Sequence, residues 1–207
     1  MHVSGGAVEP GVELEESSEA LARRRALAIA GDSVRGGLFL GTLEAVREGV
    51  GEAAVRRCLA AGEEPRFLEF FSYPLSTFLK VHEAATAELA RGCGGWTQAQ
   101  RVLGRRAGGD LLTCAGGKAL LLLCRGETRR LMNNAPTAYR VAVNHGERSV
   151  LWEGLTRGRV VMRRDFMPCA FHEGVLGMML EATGARGGRV RGTRLDVLDG
   201  EYLIEWE

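Results

Sequence analysis

The sequence predicts an α+β protein in which a helical N-terminal half packs on a C-terminal antiparallel sheet, the latter in the order β-β-β-α-β-β. Two observations carry this. Apolar residues recur at three- to four-residue spacing from Leu38 to about residue 135, and from about residue 136 the period falls to two. One apolar segment of helical length then interrupts the strands near residue 170. No P-loop and no G-x-G-x-x-G follows a predicted strand, so a doubly wound nucleotide fold is not indicated.

The chain of 207 residues is long enough to bury a substantial core. Residues 1–19 hold Gly, Pro and a run of acids without apolar period, which reads as a flexible lead-in. Residues 20–207 read as one domain, with a helical part over 20–135 and a sheet part over 136–207. Within the first part, Leu38, Leu40, Leu43, Val46 and Val50, then Val55 and Leu59, predict helices broken near Gly49 and Gly51. Tyr73-Pro74 is a pivot, because proline suits a first helical turn and biases its predecessor to extended backbone. A short helix is expected before it and a long one after it. Leu75, Phe78, Leu79, His82, Ala85 and Leu89 fall near one stripe of the long helix, which should end near Gly92. The helical pattern then resumes with Thr97 as N-cap and is loosened by glycine pairs at 108–109 and 116–117.

From residue 136, "TAYRVAVNHGERSVLWEGLTRGRVVMRRDF" reads as three strands punctuated by Asn144-His145-Gly146-Glu147 and by Arg157-Gly158. A helix follows from about Ala170 to Thr183. The chain closes with two strands around Asp199-Gly200, a dipeptide favoured in hairpin turns.

Composition narrows the function classes. With 27 basic and 26 acidic residues the net charge is +1, so no bulk field favours nucleic acid, and the Arg pairs read as solvated edges. The apolar run at 119–124 is too short to span a bilayer, and the start does not read as a secretory leader. The five cysteines lack any C-x-x-C, which indicates neither a disulfide framework nor a metal site and suits a cytoplasmic setting.

The segment "FMPCAFHEGVLGMMLEATG" at 166–184 concentrates the candidate chemistry. Cys169 and His172 stand at i and i+3, close enough for imidazole to activate a thiolate if both face a cleft. The plainer alternative makes Cys169 a small buried hydrophobe and puts His172 on the helix's polar side. Asp165 and Glu173 are the acids nearest in sequence, and neither clearly orients the His. His82 is either a ligand contact or a partly buried helix residue, and His145 is expected to be solvated in a turn. Gly174 and Gly177 each cost helix stability, which close approach of the helix to the sheet or room for a ligand would offset. Met178 and Met179 suit an adaptable apolar wall or plain core. Trp152 and Trp206 fall on strands, in the core or on a partner face.

The Tyr73-Pro74 pivot, "QAQRVLGRRAGGDLLTCAGGKAL" at 98–120, Pro168 with Phe171-x-x-Gly174-x-Leu176 and Gly184, and the terminal Tyr202-x-Ile204-x-Trp206 resemble an uncharacterised, Myxococcales-restricted family of about this length. That family has no assigned activity. The Phe171-x-x-Gly174 helix and the hairpin after it are also similar to 4-vinyl-reductase-type ligand domains, to trafficking-complex subunits of the same fold and to haem nitric-oxide-binding domains. This wider resemblance implies an apolar pocket between helices and sheet, and a homodimer. It does not extend to haem: an axial helix His is available only as His82, and the Tyr-x-Ser-x-Arg pattern is replaced by Tyr139-Arg140-Val141-Ala142. The cofactor is otherwise left open.

The sequence thus supports a non-enzymatic, cytoplasmic binding or regulatory module for an apolar small molecule. Phe78, His82, Cys114, Phe171, Val175 and Met178 are the expected pocket residues. A ligand-free protein–protein adaptor is the first alternative, and a thiol enzyme using Cys169 and His172 the second.

Overall fold

The computed structural model describes residues 17–207, so most of the expected lead-in lies outside the described residues. Ser18 already opens a helix, α1 (Ser18–Ala26), capped by the Ser17 hydroxyl accepting from the Ala20 N–H at 3.1 Å. Then come β1 (Ser33–Arg35), α2 (Gly36–Gly49), α3 (Glu52–Gly62), β2 (Ser72–Pro74), α4 (Leu75–Cys93), α5 (Trp96–Thr113), α6 (Ala115–Cys124) and α7 (Thr128–Ala142). The second half holds β3 (Glu147–Trp152), β4 (Arg157–Arg163), α8 (Cys169–Ala182), β5 (Arg189–Asp196) and β6 (Asp199–Glu205).

The mixed architecture and antiparallel sheet agree with the sequence, and five local expectations do not. Residues 136–142 are the end of α7 rather than a first strand, so the C-terminal order is β-β-α-β-β. The alternation there is a coincidence of composition: Leu131, Ala135 and Tyr139 are spaced four apart and form the inward stripe of a helix. The expected short helix before Tyr73-Pro74 is irregular chain ending in β2, which pairs antiparallel with β1. Arg157 and Gly158 lie inside β4, and the final hairpin turns at Val197-Leu198, just ahead of Asp199. Thr97 is inside α5, whose N-cap is Gly95.

The sheet runs β3-β4-β6-β5, antiparallel throughout, with one face packed on α7 and α8. Its register aligns Val150, Val160, Tyr202 and Gly192 in one inward row, and Arg148, Met162, Gly200 and Arg194 in the next. Helix α8 joins the two halves: Phe171 and Val175 enter the core of the helical half, while Cys169, Leu176, Met179 and Leu180 enter the core against the sheet. Each such burial contributes about 1.5–3 kcal/mol. Helices α5 and α8 cross where both have glycine. A Cβ on Gly104 would lie 1.8 Å from the Phe171 carbonyl oxygen, and one on Gly174 would lie 2.3 Å from that of Arg101. Gly174 therefore serves close approach to a helix rather than to the sheet. Gly177 has open space around it.

Candidate functional site

The link between β4 and α8, Arg164 to Pro168, runs through the interior and carries the centre of a polar cluster. Asp165 sits on it, almost wholly buried, with Oδ2 2.8 Å from Nε2 of His172. On the opposite side of that imidazole, the Tyr139 hydroxyl lies 2.9 Å from Nδ1. Burial disfavours the imidazolium and lowers the His172 pKa, although Asp165 opposes the shift. A neutral ring then accepts the Tyr139 O–H at Nδ1 and turns its Nε2–H to Asp165. Burial alone would raise the Asp165 pKa, but it is outweighed by His172, Arg148 and Arg194, which hold the carboxyl ionised and below the usual range. Burial pushes the Tyr139 phenol up, so Tyr139 stays protonated.

Arg148 and Arg194 reach this centre from the same inward row of the sheet, one on each edge strand. The Arg148 guanidinium stacks over the Tyr139 ring at 4.0 Å, donates to the His145 carbonyl at 3.1 Å, and stands 3.5 Å from Asp165 Oδ1. Arg194 donates to the backbone carbonyls of Asp165 and Met167. Nearby, Arg164 makes two bonds to Asp32, 2.8 and 2.7 Å, and ties the sheet to the chain ahead of β1. His145 is buried rather than solvated, its ring edge-on to Phe166 at 5.3 Å, and burial lowers its pKa.

Beside this cluster lies a cavity of about 1000 Å³ between α2, α4, α5, α7 and α8. Leu38, Leu75, Phe78, Ala107, Phe171 and Val175 form much of its apolar wall; Tyr139, His145, Arg148 and Asp165 also line it. Buried Arg148, His145 and Asp165 mark an inner end, whereas Phe70 and Val141, 79 % and 71 % exposed, stand at the mouth.

Four of the residues expected to line a pocket, Phe78, Cys114, Phe171 and Val175, are on this wall, and His82 and Met178 are not. His82 lies one layer behind, between Phe78 and Phe171, with Nε2 2.6 Å from Gln100 Oε1. Gln100 donates to Thr86, which donates to the His82 carbonyl, while the buried Nδ1 of His82 has no hydrogen-bond partner. Met178 is half-buried against Gly108 of α5. Cys169 is buried against Gly192 and Tyr202, and the two ring nitrogens of His172 face Tyr139 and Asp165, so its imidazole is not placed to take the thiol proton. Trp152 and Trp206 pack edge to face at 5.9 Å on the inner side of the sheet.

Sequence reasoning missed Tyr139, Arg148, Asp165 and Arg194 as a group. A signal was present for two of them. In "ERSVLW" Arg148 is in phase with Val150 and Trp152, and in "RVRGTRLD" Arg194 is in phase with Val190. A charge in the apolar phase of a strand marks a buried charge.

The donors do not fit haem. The helix-borne histidine on the long stripe, His82, is turned to Gln100 and is off the wall; both nitrogens of His172 are engaged. His145 lines the cavity with its buried Nδ1 unpartnered, but it sits in the α7–β3 link rather than on a helix. Val141 and Val143 occupy the places that the Tyr-x-Ser-x-Arg pattern gives to Ser and Arg. Among the described residues no group of three or more His, Cys, Asp or Glu gathers as a metal site would need.

The fold is similar to H-NOX structures. The Fe(II) unliganded H-NOX protein from K. algicida matches with a TM-score of 0.62 at 10% identity, over 84% of this chain and 96% of that one. An H-NOX protein from S. oneidensis in the Fe(II)NO ligation state matches at 0.64 and 10%, over 84% and 99%. An oxygen-binding H-NOX domain related to soluble guanylate cyclases matches at 0.57 and 10%, over 84% and 95%. At such identities the likeness is one of fold. No curated protein matches the chain. A family profile described as "Protein of unknown function (DUF2378)" matches residues 27–207, and the chain belongs to that family.

Proposed function

We propose that the protein is a non-catalytic, ligand-binding regulatory module that takes an apolar small molecule into the cavity bounded by α2, α4, α5, α7 and α8. The observation that carries this reading is the cavity itself: about 1000 Å³, mainly apolar in its wall, with a few polar groups converging at the inner end. That is the composition and upper size of small-molecule sites. The H-NOX-like fold adds support, since the similar structures include one with NO and one with oxygen bound. Five free cysteines suit a reducing cytoplasm. Among the described residues no single helix is long and apolar enough to cross a membrane.

A second reading, a homodimer or an adaptor, is favoured by α6, where Leu122 and Leu123 are 78 % and 76 % exposed. It is compatible with the first. Native mass spectrometry of the purified protein, set against its denatured mass, tests both. An adduct present in the wild type and lost in Val175→Trp supports the cavity reading. A mass that is a bare multiple of the chain, with no small-molecule uptake that Val175→Trp alters, would overturn it. A doubled mass reports the dimer.

A further inference from the structure

The buried end of the cavity has a charge problem that the protein does not solve by itself. The Arg148 side chain is 5 % exposed, and a guanidinium taken out of water needs close, well-aligned acceptors to offset its desolvation. Asp165 is its only ion-pair partner among the described residues, at 3.5 Å and through one guanidinium nitrogen, where a good pair closes to about 2.8 Å with two parallel bonds. That carboxylate is already claimed: Oδ2 faces His172 at 2.8 Å. Arg148 Nε has no hydrogen-bond partner, and neither has the buried Nδ1 of His145 beside it. Asp32, the other acid that acts on His145, is held by both terminal nitrogens of Arg164. The Tyr139 ring supports the cation through its face, but its hydroxyl is committed to His172. Arg148 thus remains an under-paired cation on the wall of a cavity that is otherwise largely apolar.

We infer that the ligand is an amphiphile with an apolar body and one carboxylate, and that Arg148 receives the carboxylate at the buried end of the cavity. This rests on the cavity reading above and adds the chemistry of the head group. The shape of the site agrees with it. The apolar body would lie along Phe171, Val175, Phe78 and Leu38 toward the mouth at Phe70, and the planar guanidinium offers the donor fork that suits a carboxylate. Asp165 sets the limit on the site: it repels a second anion on the His172 side, which confines the head group to the flank shared by Arg148 and His145. A single carboxylate fits this arrangement.

The test is calorimetric titration of the delipidated full-length protein with decanoate and with decanol, which share a chain and differ in the head. Decanoate is expected to bind at least about tenfold more tightly than decanol, the scale of a charge-assisted hydrogen bond. In Arg148→Met decanoate should fall to the affinity of decanol while decanol binding is kept. Equal affinities of the two in the wild type would overturn the head-group inference and leave an apolar cavity. Binding of neither would overturn the cavity reading and this inference with it. Preference for the acid surviving in Arg148→Met would overturn the role of Arg148. The wild-type comparison stands even if that variant does not fold.

Discussion

Replacing Gly174 by alanine adds one methyl group where α8 runs closest against the backbone of Arg101. In isolation the change should help, because alanine is favoured over glycine in a helix by about 1 kcal/mol. The crossing of α5 and α8 reverses the sign. The new Cβ would lie 2.3 Å from the Arg101 carbonyl oxygen and 2.8 Å from the Arg105 amide nitrogen, where ordinary contact begins at 3.4 Å. Both obstacles are backbone, so no rotamer change relieves them, and the helices must part by about 1 Å. A gap of that size forfeits a quarter to a half of each dispersion contact across the interface, and overpacking of this kind costs about 1–3 kcal/mol or more. It also strains the pairs Arg101–Glu173 and Arg105–Glu181, which span the same crossing. After subtracting the helix-propensity gain, Gly174→Ala should destabilise by about 0–2 kcal/mol. Gly177→Ala, on the same helix with open space around it, should stabilise by about 0.5–1 kcal/mol. Urea unfolding of the three proteins reads the difference as shifts of midpoint at constant slope. If Gly174→Ala were as stable as Gly177→Ala, the close-approach argument would be refuted.

Acid sensitivity is expected from His82. Burial lowers its pKa from 6.5 to about 4, only partly offset by Gln100, so above 6.5 neither the folded nor the unfolded chain holds the proton. As pH falls from 6.5 toward 4 the unfolded chain binds a proton that the folded one refuses. Stability should therefore drop by about 1.4 kcal/mol per pH unit from this residue, and His82→Leu should flatten the slope of unfolding free energy against pH by that amount. Alkylation followed by peptide mass mapping should modify Cys114 first, because it is exposed, and Cys58 last, because it is buried and its thiol is pushed up to about 11. Preferential labelling of Cys169 would instead restore the thiol-enzyme reading. Arg164→Ala should leave the Asp32 carboxylate buried without its cation and lower stability by about 2 kcal/mol in chemical denaturation, whereas a loss under 0.5 kcal/mol would mean the tether is idle.

The legible part of the fold was what periodicity encodes. Helix α4 could be read from the stripe running from Leu75 to Leu89, and α8 from its apolar length between Pro168 and Gly184. The last turn of α7 could not, because Tyr139, Val141 and Val143 recur at a spacing of two while Leu131, Ala135 and Tyr139 set the helical face that wins by packing. The same limit applies to the cavity. Phe78, Phe171 and Val175 could be proposed because each sits on an apolar face that must cover something, whereas Cys114, exposed between α5 and α6, has no such pattern behind it. His82 looked equivalent on its stripe, yet whether such a residue faces a void or a Gln100 eighteen positions away is decided by how α4 and α5 pack, which no local pattern records.

The polar cluster shows what a different reading of the same letters yields. Arg148 and Arg194 look like ordinary strand-edge charges if basic residues are counted along the chain, and their pairing with solvent is then assumed. Placed in phase with Val150 and Val190 they become inward-facing, and an inward arginine must find an acceptor inside the protein. Arg194 finds backbone carbonyls of the β4–α8 link and so fixes the position of Asp165 and Met167. Arg148 finds a shared carboxylate, a tyrosine face and the wall of a cavity. The two residues occupy one row of the sheet, yet one is spent on holding the chain and the other is left facing the space a ligand would fill. That asymmetry is why Arg148, rather than the cysteine and histidine that stand out in the sequence, is the residue on which the functional reading turns.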